Sequence, residues 1–98
     1  MNAPDINRSI LRMHIAAIEQ KYPIRIVGLL PRGSVGHMYD VENAVEFLAE
    51  KQSGLSLLDL SRVEIALGDR LGRPVGIVLQ SGLKDQEAVD FPALAEKI

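Results

Sequence analysis

Gly28-Leu29 is followed by ten residues and then by Asp40-Val41-Glu42. If Asp40 and Glu42 lie on a strand, residues two apart point to the same face. Two carboxylates so placed could hold one Mg²⁺, an ion that often takes one or two carboxylates and completes its shell with phosphate oxygens. A tight glycine turn at Gly28, closing the apolar run Ile24–Val27, could seat the phosphates of a nucleotide. Between the two stand Arg32 and Gly33, which offer a guanidinium and backbone N–H groups to phosphate. The plain alternatives are the solvent face of a strand for Asp40 and Glu42, and a turn with an exposed arginine for Arg32-Gly33.

Elements on both sides must position these residues. Pro4 to about Tyr22 reads as a helix, with Ile6, Ile10, Met13 and Ala17 as its apolar stripe. Ile24 to Val27 is short, apolar and β-branched, which predicts a strand. Gly28 to Tyr39 holds three glycines and a proline and predicts a loop. From Val41 to Leu48 the chain alternates, with Val41, Val45 and Phe47 on one face and Asp40, Glu42, Ala44 and Glu46 on the other. That period predicts a second strand with one buried face. Lys51 to Gly54 predicts a polar turn. Ser56 to Leu71 is the clearest helix. Ser56 and Asp59 make a capping box, Leu60, Val63, Leu67 and Leu71 make the stripe, and Gly72 is the stop. Val75 to Leu79 predicts a third strand. In the tail, Pro92 could open a short helix from Ala93. A helix between the second and third strands suits a crossover connection, so the expectation is an α/β domain with a mixed sheet of three or more strands.

Composition bounds the partners. The chain has 98 residues, a net charge of −2 and four aromatic residues, which predicts one domain over 1–98 and gives no argument for nucleic acid or an anionic membrane as partner. The absence of cysteine excludes disulfides and thiol chemistry and fits a cytoplasmic protein. No apolar run approaches the roughly 20 residues of a membrane span, and the N-terminus lacks a signal-peptide pattern. His14 reads as a helix-surface residue and His37 as a loop residue near the carboxylates. Leu30-Pro31-Arg32-Gly33-Ser34 also reads as a protease-sensitive sequence if exposed.

The stretches Gly28–Phe47 and Ser56–Leu83 resemble the minimal nucleotidyltransferases (MNT) of the polymerase-β superfamily, the small proteins paired with HEPN partners in toxin–antitoxin modules. The family pattern is Gly-Ser or Gly-Gly, about ten residues, then Asp, a hydrophobic residue, and Asp or Glu. Arg32-Gly33 falls at the family's Arg-Gly, and Leu71-Gly72-Arg73-Pro74-Val75 resembles the family's entry to the strand that follows the crossover helix. The resemblance implies a small polymerase-β-type nucleotidyltransferase fold, ATP and Mg²⁺ as ligands, Gly28, Arg32 and Gly33 as nucleotide-binding residues, and Asp40 and Glu42 as catalytic metal ligands. This chain departs from the pattern at three places. Leu29 stands where the family has serine, Asn43 where it has a hydrophobic residue, and Gly76 where a third carboxylate usually follows. Two-metal phosphoryl transfer needs several anionic ligands, so these departures imply a degraded catalytic site.

Three functions follow as expectations. The first is an MntA-like antitoxin that binds and neutralises a HEPN-type ribonuclease toxin. The second is an active transferase moving AMP from ATP to a tyrosine hydroxyl of a protein partner. The third is a pseudoenzyme that senses nucleotide. Self-assembly and assembly with a partner are both left open.

Overall fold

The computed structural model describes residues 7–30, 43–83, 85 and 87–98. Arg32, Gly33, Asp40 and Glu42 lie outside the described residues. The elements run α1 (Arg8–Lys21), β1 (Ile24–Leu30), β2 (Val45–Lys51), α2 (Leu57–Leu71), β3 (Val75–Leu79), a 3₁₀ turn over Gln80–Gly82, and α3 (Glu87–Leu94). The sheet order is β1-β2-β3. β2 runs antiparallel to β1 and parallel to β3, so α2 is the crossover expected between the parallel strands.

α2 is fixed by its ends as the sequence predicts. The Ser56 hydroxyl accepts from the Asp59 N–H at 3.0 Å, and the Asp59 carboxylate accepts from the Ser56 N–H at 3.2 Å. Gly72 ends the helix in the left-handed region at φ 68°, where a side chain is strained. Val63 and Leu67 are fully buried, and Leu60 and Leu71 pack at the margin.

α1 is shorter than expected and turned. Asn7 caps it through bonds from Ser9 and Ile10. Its buried residues are Leu11, Ile15 and Ile18, while Ile10 and Met13 of the expected stripe are about half exposed or more, at 49% and 60%. The helix carries two apolar stripes, and the one that extends to Tyr22 and meets the sheet is the one buried.

One sheet face carries the main core: Leu29, Val45, Phe47, Ala49, Val75 and Ile77 pack against α1 and α2. The other face carries a smaller core of Leu30, Leu48 and Phe91, with Val27, Val78 and Ala95 beside it. α3 therefore starts well before Pro92, which lies inside it, and its Phe91 seals the second face. The expectation of a half-solvated second strand fails for this reason. β2 is the central strand, and every residue from Ala44 to Ala49 is buried.

Each outer strand has an edge donor occupied by a helix carboxylate. Glu19 accepts from the Ile26 N–H of β1, and Glu64 from the Ile77 N–H of β3, both at 2.8 Å. Blocking edges in this way opposes pairing with other chains. Among the described residues no helix is long and apolar enough to cross a membrane.

Candidate functional site

Gly28 is not a turn. β1 continues through it to Leu30, because Leu29 and Leu30 are both buried, one on each face of the sheet. A register shift lies between Ile26 and Gly28. The lack of a side chain serves a close approach: a Cβ built on Gly28 would stand 2.9 Å from the Glu96 carbonyl oxygen and 3.0 Å from the Ala95 Cβ.

Leu29, which stands where the resembled sequence pattern has serine, faces the protein interior. Its side chain is 0% exposed and lies in the main core. Its N–H donates to the Glu96 carbonyl and its own carbonyl accepts from the Glu96 N–H, each at 2.8 Å. Neither its side chain nor its outward backbone is open to a ligand in this arrangement.

Gly76 is the second residue of β3 and is level with Glu46 of β2, which is level with Leu30 of β1. In-register neighbours share a sheet face, so these three positions form a row near the end where β2 begins. Glu46 is a buried carboxylate, 7% exposed. The sequence signal for it was its place on the Asp40–Glu42–Ala44 side of the alternation. Gly76 brings no carboxylate to the row. Among the described residues no group of three or more His, Asp or Glu could hold a metal ion.

Arg73 is a positioning residue that sequence reasoning did not single out. Its Nε donates to the Asn43 carbonyl at 3.0 Å, and the Val45 N–H donates to the Pro74 carbonyl at 2.9 Å. Asn43 is held at φ 63°, a region in which Asn is among the more tolerated side chains. Asn43 directly follows Glu42, so this clamp fixes the point where the chain enters the sheet after the carboxylate pair. The only sequence trace of it was Gly72-Arg73-Pro74.

Among the described residues, one concavity borders this clamp through Arg73 and Pro74, and another lies along β1. The first, of about 760 Å³, sits at the C-terminal end of α2 beside Glu64, Gly68, Asp69 and Arg73. The other, of about 510 Å³, lies beside Arg12, Glu19, Ile26 and Ile98. Among the described residues, neither is lined by Gly28, Glu46 or Gly76. His14 is half-buried and bridges the helices through Arg70 Nη1 at 3.5 Å, which is a packing role.

The chain matches no protein-family model and no curated protein. It is similar to the solved structure of a protein provisionally assigned as a minimal nucleotidyltransferase, with a TM-score of 0.69 and 22% identity over 95% of this chain and 97% of that one. The chain has a small nucleotidyltransferase-like α/β fold with a three-stranded mixed sheet.

Proposed function

We propose that this nucleotidyltransferase-like fold acts as a protein-binding scaffold, an antitoxin-like protein that restrains a HEPN-type ribonuclease toxin, with its transfer site degraded. The observation that carries the loss of transfer is the fate of Leu29. The position that would present a hydroxyl to nucleotide phosphate instead fills the main core, and its backbone is engaged by Glu96. Gly76 supports the same reading, since a third carboxylate is missing beside Glu46. The toxin as partner comes from the sequence resemblance.

A second reading retains nucleotide binding. Asp40 and Glu42 would hold Mg²⁺, and Gly28, Arg32 and Gly33 would contact ATP. One observation favours it: Arg73 and Pro74 hold the chain immediately after Glu42 at the end of the sheet where Gly76 stands. In the active version, a partner's tyrosine oxygen would attack the α-phosphorus of ATP, AMP would join that oxygen, and pyrophosphate would leave. The tyrosine proton would pass to bulk water.

The test is co-expression with the product of a neighbouring frame that encodes a small helical protein. The scaffold reading expects a stoichiometric complex on gel filtration and suppressed ribonuclease activity. The absence of such a neighbour, or ribonuclease activity unchanged by a saturating excess of this protein, would overturn it.

A further inference from the structure

The outer edge of β1 is filled by the chain itself. Ala95 to Ile98 lies along it as an extended strap, joined by the antiparallel bridge Leu29↔Glu96 and its two 2.8 Å backbone bonds. The strap's side chains alternate as in a strand. Ala95 packs towards Leu30 and Phe91. Glu96 pairs with Arg8 of α1 at 2.7 Å, and Ile98 packs at the margin of the main core. Gly28 makes the approach possible, because a Cβ there would collide with the strap's backbone.

The seat therefore has a readable chemistry. It takes a small residue over the Gly28–Leu30 side, an acidic residue facing Arg8, any residue next, since Lys97 is exposed, and then an apolar residue. The last lies beside the concavity of about 510 Å³, where Ile98 meets Ile15 and Ile26 and where Arg12, Glu19 and Arg25 supply charge. In strand addition the main-chain bonds supply affinity and the alternating pockets supply specificity.

We propose that the β1 edge is a strand-addition site for an extended segment of a protein partner with the pattern small–acidic–any–apolar, and that the chain's own strap occupies it until the partner arrives. The proposal rests on the partner-binding reading above and supplies that reading with a surface. The strap is built to be displaceable. Its ordered contacts are few: one bridged pair, an ion pair whose side chains are 29% and 50% exposed, a long 3.5 Å bond from Arg12 to the Ile98 carbonyl, and the marginal packing of Ala95 and Ile98. The rest of β1 is anchored independently by six register pairs with β2. A strap in the same chain has a high effective concentration, so only a well-matched partner displaces it. That also protects the edge from indiscriminate pairing.

The test uses the full chain and a fluorescein-labelled peptide of residues 92–98 as the probe. In Glu96→Pro the strap loses its N–H donor and its ion pair, so the edge is vacated. The peptide should bind this variant at least about tenfold more tightly than wild type. The same peptide N-methylated at Glu96 should not bind, since it lacks the donor to the Leu29 carbonyl. Should Glu96→Pro fail to fold, Glu96→Ala removes the strap's ion pair, leaves Arg8 free for the acidic residue of the peptide, and should show the same direction of change. Equal affinity for wild type and the loosened variants, binding unaffected by N-methylation, or no binding up to millimolar peptide would overturn the proposal. A concentration-dependent dimer of wild type, lost in Glu96→Pro, would replace the partner with a second copy of this chain. Peptide binding in a protein that forms no complex with a HEPN product would leave the edge standing and remove the antitoxin reading.

Discussion

Gly28→Ala separates two roles for the residue that opens the candidate motif. If Gly28 serves only to let phosphate approach, a methyl group there leaves the folded chain intact. It even gains from the lower entropy of the unfolded state, by about 0.4–1 kcal/mol. The structure argues otherwise. A Cβ would stand 2.9 Å from the Glu96 carbonyl oxygen and 3.4 Å from the Glu96 carbonyl carbon, so a backbone and not a flexible side chain must move. Displacing the strap breaks the two Leu29–Glu96 bonds, worth about 1 kcal/mol each net. It also loosens the half-exposed Arg8–Glu96 pair, worth roughly 0–1 kcal/mol, and part of the Ile98 contact. With the entropic gain set against these losses, the expected destabilisation is about 1–3 kcal/mol, which for a domain of this size lowers Tm by roughly 5–15 °C. Urea unfolding followed by circular dichroism measures it. Because Gly28→Ala and Glu96→Pro disrupt one contact, the double variant should cost little more than the worse single one. A Gly28→Ala protein as stable as wild type, or strictly additive costs, would refute the packing role and return Gly28 to the ligand.

Other perturbations have equally definite expectations. Leu29→Ser does not restore a phosphate ligand. It places a hydroxyl in the main core and should cost about 2–4 kcal/mol by urea titration, judged against large-to-small core substitutions; unaltered stability would show that Leu29 faces outward. Gly76→Asp sets a second carboxylate level with buried Glu46. It should lower Tm, and millimolar Mg²⁺ should recover part of the loss if this end of the sheet can hold a cation; a Tm raised without Mg²⁺ would contradict the placement. Ser56→Ala removes the acceptor of the Asp59 N–H and should cost about 1 kcal/mol, read by thermal unfolding. Glu64→Leu uncovers the Ile77 N–H of the β3 edge. It should destabilise by roughly 1–2 kcal/mol and raise light scattering at high concentration, whereas a soluble variant of wild-type stability would count against edge protection.

Legibility in the sequence followed the range of the forces involved. α2 was readable almost residue by residue, because Ser56, Asp59 and Gly72 act within one helical turn. β3 was readable because Val75–Leu79 is a short apolar run between clear turns, and the crossover made it parallel to β2. The buried face of α1 is not legible, because two stripes compete on one helix and only the packing partner decides between Leu11–Ile15–Ile18 and Ile10–Met13. Gly28 looked like a turn because a glycine ending an apolar run usually is one. Its actual role depends on Ala95 and Glu96, nearly seventy residues away. The tail failed for the same reason, since Phe91 is apolar only in a way that a second sheet face explains. Within the candidate site, Leu29 and Gly76 were legible as departures from a pattern. That Leu29 is buried on the main-core face, and that Gly76 stands level with Glu46, needed the register of three strands.

The proposed role of this fold is to restrain a protein partner without transferring a nucleotide to it. One experiment puts both halves in the same tube: the co-purified complex with the helical HEPN product, incubated with α-labelled ATP and Mg²⁺, then assayed for label and for ribonuclease activity. Silent ribonuclease and an unlabelled partner are the expected results. A partner that becomes labelled with Mg²⁺, with labelling lost in Asp40→Asn, would contradict the proposed role and make this chain a working adenylyltransferase.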